Sequence, residues 1–181
     1  MKLFILLVAV FFLFSNKGYA QKYYTKNGSI SFFSTTNMED IKADNNQVVS
    51  VLNVPTGELL FSLLIKSFHF PKALMEEHFN EDYLESDKYP KANFTGSFTG
   101  DFVPDKDGTY NVIAKGNLTL HNVTKPIEEP ATLEVKAGRL LGKTVFKLRP
   151  EDFNISIPSI VRDKITKEIT VLVNIDCNTT K

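Results

Sequence analysis

Tryptophan is absent and cysteine occurs once, at Cys177. A lone thiol makes no internal disulfide, so burial rather than cross-linking must hold the fold. No sign of charge dominates, because 21 Lys+Arg balance 21 Asp+Glu; such a chain has no electrostatic lure for nucleic acid or for a strongly acidic surface. Histidine is scarce. His69, His78 and His121 show no i, i+4 pair and no His-x-His, and Cys177 stands far away, so the spacing of a metal site is missing. A Gly-x-Ser-x-Gly elbow is also lacking. Glu76, Glu77, Glu81 and Asp82 cluster on one predicted helix, but Glu77 and Glu81 at i, i+4 read as a solvated face rather than an acid/base pair. These absences exclude the common enzymatic classes and leave no motif for a metal or cofactor.

What is present begins with a leader. Lys2 precedes a 12-residue apolar run, Leu3 to Phe14, and Gly18-Tyr19-Ala20 supplies small residues before Gln21. The run is too short to span a bilayer, and the order of parts predicts a cleaved secretory signal over residues 1–20, hence export to a periplasm or beyond. No cysteine follows the expected cleavage point as an acylation site. The mature chain would be one domain of 161 residues, 21–181, with net charge near −2 once Lys2 and Lys17 are gone. That length can bury a substantial core.

Period-two alternation dominates this part. Strands are predicted at Gly28–Thr36, Gln47–Val54, Glu58–Phe70, Lys91–Phe102, Tyr110–His121, around Leu133 and Val135, at Leu140–Leu148, and from Ile165 to Cys177. Asp44-Asn45-Asn46 reads as a turn, His121 to Pro126 as a corner. Glu58 to Phe70 is apolar on both faces, so an outer cover is expected, and the helix that follows is the natural one. That helix centres on Leu74 to Phe79, with Pro71 in its first turn. Pro90 then restarts a strand. Leu74 and His78 share a helical face, so His78 is predicted to point at the barrel, as a contact for a ligand's polar end or as a partner for a strand-end carbonyl. About eight antiparallel strands with short connections and one short α-helical insert describe an all-β, up-and-down barrel whose interior can hold one small ligand. Gly96, Gly100 and Gly116 fall on inward faces, either opening a slot between aromatic walls or letting the barrel bend.

Three stretches carry a resemblance: FHFPKALMEEHFNEDYLESDKYPKANFTGSF from Phe68, GNLTLHNVTKPI from Gly116, and KLRPEDFNISIP from Lys147. Together with the leader they resemble the bacterial YceI-like family over essentially the whole mature chain. The resemblance implies a lipocalin-like extended antiparallel β-barrel, non-catalytic, that binds a long isoprenoid or quinone-type lipid in its interior. The family corner usually reads His-Gly-Val-Thr; here it is His121-Asn122-Val123-Thr124, and Asn tolerates the left-handed backbone next best after Gly. Phe61, Phe94, Phe98, Leu118, Leu120 and Phe146 are the expected apolar lining, with His78 at the lid or mouth. Lys72, Lys125 and Arg149 stand near strand ends, where a phosphate would meet them. The alternative is a barrel filled by its own side chains that acts through its surface as a structural, interaction or stress-related protein. Either reading leaves the oligomeric state open, a homodimer included.

Overall fold

The computed structural model describes residues 21–36, 39–158 and 165–180, the last without the Thr180 side chain. The leader predicted at residues 1–20 lies outside the described residues.

Eight antiparallel strands close into one barrel, each paired with its sequence neighbour and the last with the first. They are β1 (Lys22–Thr35), β2 (Asp40–Asn53), β3 (Glu58–Leu64), β4 (Lys91–Thr99), β5 (Gly108–Leu120), β6 (Val123–Lys136), β7 (Arg139–Leu148) and β8 (Ile169–Thr180). The helix α1 (Ala73–His78) runs into a π-helical turn, Phe79–Tyr83, between β3 and β4. The expected fold class is therefore the observed one.

Several local expectations are corrected. Asp44-Asn45-Asn46 is not a turn but part of β2, in a stretch where the β1–β2 register slips around Gly28. Asn45 is fully buried there; its amide donates to the Leu64 carbonyl at 3.0 Å and its carbonyl accepts from the Gln47 N–H at 2.8 Å. A buried Asn with both ends satisfied stabilises the irregularity that its turn propensity announced. β3 ends at Leu64, and Leu60 and Leu64 remain 46% exposed, so α1 does not cover the outer face. β6 starts at Val123, inside the corner expected from His121 to Pro126, and runs on through Pro126 and Pro130; only His121-Asn122 turns. Both have positive φ, 50° and 59°, the pair of values a tight two-residue hairpin requires. Asn122 thus keeps the left-handed corner without glycine.

Alternation puts two apolar clusters inside. One, around Tyr23, Leu52, Leu59, Phe98, Val112, Leu133, Leu140 and Ile175, fills the end that carries the β4–β5 loop. There Phe98 stacks edge-on to Phe102 at 5.7 Å, Phe102 edge-on to Tyr110 at 5.3 Å, and the Tyr23 hydroxyl donates to the Pro104 carbonyl at 3.3 Å. The other cluster, around Ala43, Val48, Ile65, Phe68, Leu84, Phe153 and Ile155, fills the opposite end. Phe32 lies there within 5.4–5.7 Å of Phe68, Phe70 and Phe79. Both ends are thus plugged by aromatic side chains.

Between the plugs, β4 and β5 approach closely. Gly96 pairs with Gly116, and a Cβ on Gly96 would stand 2.3 Å from the Lys115 carbonyl oxygen and 2.8 Å from Cζ of Phe94. The glycines therefore serve close approach, and the space above them is taken by the Phe94 ring.

Candidate functional site

A cavity of about 120 Å³ remains in the middle of the barrel. Its wall takes Leu59, Phe61 and Leu63 from β3, Ala92, Phe94 and Phe98 from β4, Val112, Ala114 and Leu118 from β5, Ile127, Glu129, Ala131 and Leu133 from β6, Gly142, Thr144 and Phe146 from β7, and Val173 and Ile175 from β8. Five of the six residues predicted as lining stand there: Phe61, Phe94, Phe98, Leu118 and Phe146. Leu120 does not; it packs with the cluster at the helical end. Phe61 and Phe94 meet edge to face at 6.1 Å across β3 and β4.

His78 is not at the barrel. Its side chain is 50% exposed and Nδ1 meets the Asp82 carboxylate at 2.6 Å, one helical turn on. Leu74, on the same face, is 61% exposed. The helix is rotated relative to expectation because Phe79, beyond its last residue, anchors it to Phe32, Phe68 and Phe70. The Glu76 carboxylate adds a second tie, accepting from the Phe70 N–H at 3.0 Å. The histidine that does join elements is His121, whose side chain is only 10% exposed. Its Nδ1 donates to the Phe153 carbonyl at 3.2 Å, Nε2 pairs with the Glu85 carboxylate at 3.0 Å, and Tyr89 stands edge-on at 4.4 Å. Sequence spacing could not pick it out, since its partners are 32 and 36 residues away.

The barrel wall is not uniformly zipped. β5 and β6 pair along their length, from Gly108↔Val135 to Leu120↔Val123. β6 and β7 pair only from Lys136↔Arg139 to Ala131↔Thr144. Residues 123–130 of β6 have no ladder to β7, although β7 continues to Leu148 alongside β8. Pro126 and Pro130 supply the reason. The Thr144 hydroxyl donates to the Pro130 carbonyl at 2.8 Å, so the backbone of Pro130 is turned towards β7. Four residues earlier, Pro126 is turned the same way. Proline has no N–H to give, so the two missing donors fall on the β7 side and the ladder stops there. The seam so formed borders the cavity at Ile127, Glu129, Thr144 and Phe146.

Glu129 is the carboxylate on this wall. It is half-buried, pairs in register with the cavity residue Ala114, and burial raises its carboxyl above the usual range. Cys177 has no such access. It is fully buried at the other end, and its thiol is pushed up to about 12 by burial, with the Asp176 charge adding and the Ser50 hydroxyl opposing. A thiol held there is inert. Among the described residues, no three His, Cys, Asp or Glu side chains gather as a metal site.

A closed eight-stranded up-and-down barrel with a largely apolar interior pocket defines a lipocalin-like protein. The chain belongs to the YceI-like family: the sequence profile of the YceI-like domain matches residues 18–177. Solved structures share the fold at low identity. A polyisoprenoid binding domain from Saccharophagus degradans, implicated in plant cell wall breakdown, superposes with TM-score 0.74 at 14% identity, covering 89% of this chain and 99% of that one. BcnA of Burkholderia cenocepacia follows with 0.67 at 15%, covering 82% and 95%, and the YceI protein of Campylobacter jejuni with 0.64 at 18%, covering 81% and 89%. No curated protein matches in sequence.

Proposed function

We propose that the mature chain is an exported, non-catalytic carrier that holds an isoprenoid or other long apolar chain in the barrel interior. The observation that carries this reading is the largely apolar cavity itself, inside the barrel and walled by Phe61, Phe94, Phe98, Leu118 and Phe146. Membership of a family with a structural neighbour described as polyisoprenoid-binding supports it. The driving force is burial, at about 0.8 kcal/mol for each CH₂ removed from water, less the cost of ordering the chain. At about 120 Å³ the cavity is slightly smaller than the roughly 150 Å³ pocket that accepts benzene in an engineered protein core. It takes one short segment of such a chain as it stands, and a longer tail requires the Phe94 or Phe98 ring to swing or the seam to part.

The same small volume favours a second reading, a barrel essentially filled by its own side chains that acts through its surface. Solvent extraction and mass spectrometry of protein purified from its native compartment separates the two. The carrier reading expects an isoprenoid or other long-chain lipid in near-stoichiometric amount; protein that is lipid-free and takes up none from offered vesicles overturns it.

A further inference from the structure

We propose that the unzipped seam between β6 and β7 is the site for the polar end of the bound lipid, and that it takes an uncharged head that donates a hydrogen bond, a prenyl alcohol or hydroquinone, to the carboxylate of Glu129. The inference rests on the carrier reading and adds the chemical class of the head. A tail buried between two aromatic plugs must leave its polar end somewhere wet, and the open backbone of residues 123–130 is a break in the wall that borders the cavity at Ile127 and Glu129.

At that break the cavity offers one carboxylate. Glu129 lies on the inward face of β6 opposite Ala114, and no described residue pairs with it. Its sequence neighbour Glu128, on the outward face, is instead engaged by Lys115 at 2.7 Å. An inward acceptor with no internal donor is left for a donor that arrives with the ligand. A diphosphate or carboxylate head would meet like charge. Lys125, four residues along the same face and about 13 Å away by strand rise, is exposed and borders the seam rather than the cavity; Lys143 does border the cavity, but it is exposed and stands opposite Thr132, and neither lysine pairs with Glu129. Thr144, across the seam, spends its hydroxyl on Pro130.

The test uses the full mature protein, stripped of lipid, titrated with three probes sharing one tail: farnesol, farnesyl diphosphate and the matching C15 hydrocarbon. Expected is farnesol binding at least tenfold tighter than either of the others. E129A should abolish the preference over hydrocarbon, and E129K should reverse the preference towards the diphosphate. Thermal melts of both variants confirm that they fold. Hydrocarbon bound with no advantage for farnesol, or an advantage that survives E129A, overturns the head-group site and leaves the carrier reading intact. Failure of all three probes to bind overturns the carrier reading and this site with it.

Discussion

Two histidines show how little a residue's local pattern says about its work. His78 had the helical position of a core contact and is a surface partner of Asp82, whereas His121 looked like part of a turn and ties three segments together. With its side chain 10% exposed, removing it strands the Phe153 carbonyl. H121A should therefore cost about 2 kcal/mol in urea unfolding, while E85Q, on a side chain 43% exposed, should cost under about 1 kcal/mol. Equal costs would mean that the Glu85 pair, not the buried carbonyl bond, holds the corner. Glu129 acts in the opposite sense. Burial raises its carboxyl above the usual range, so the folded state holds its proton more tightly than the unfolded chain and stability falls as pH rises through that interval. E129Q should shift the unfolding midpoint upward at pH 7 and leave it unchanged at pH 3. A midpoint that falls at pH 7 and is unchanged at pH 3 would show that the charge stabilises the barrel. A side chain that weakens the fold at neutral pH is the kind retained for binding.

At the scale of the element, much of the barrel was legible because period-two alternation is a direct consequence of one face meeting a core. β4, β5, β7 and the closing strand stand within a few residues of their predicted spans. What was not legible was set across the sheet. Asp44-Asn45-Asn46 carries turn chemistry, yet Asn45 reaches the Leu64 carbonyl and becomes a buried bracket. The orientation of α1 is dictated by Phe79 beyond its end, so Leu74 and His78 point outward against their pattern. Five of the six lining residues follow from alternation alone, whereas Glu129 was missed because His121 to Pro126 read as a corner and the strand was expected only around Leu133 and Val135, which hid the inward face of β6. Those prolines carry their own prediction. In β6 the odd-numbered amides face β5 and the even-numbered ones face β7, so the Glu128 N–H opens onto the seam while those of Ile127 and Glu129 lie in the β5 ladder. Hydrogen exchange followed by NMR should find Glu128 exchanging at least tenfold faster than either neighbour. Uniform protection from residue 127 to 129 would mean that the seam is closed in solution.

For the whole molecule the question is whether about 120 Å³ of empty interior is a packing remainder or a seat for a guest. A substitution that consumes the space distinguishes them. Ala114 lines the cavity between Phe98 and Glu129 in register, on a strand whose backbone is paired on both sides. A114L would place three further carbons in the void. If it is a packing remainder, filling it should stabilise the protein by about 1–2 kcal/mol through added burial, with no lipid to lose. If it is a seat, the stripped variant should gain the same stability, but the protein as purified should lose its lipid and with it the rise in melting temperature that ligand binding confers. Comparing melts of wild type and A114L before and after solvent extraction therefore reads function and packing in one measurement. A wild-type barrel whose melting temperature falls on extraction, beside a variant whose does not, fits only the carrier. Two proteins indifferent to extraction, the variant merely more stable, fit only the filled barrel.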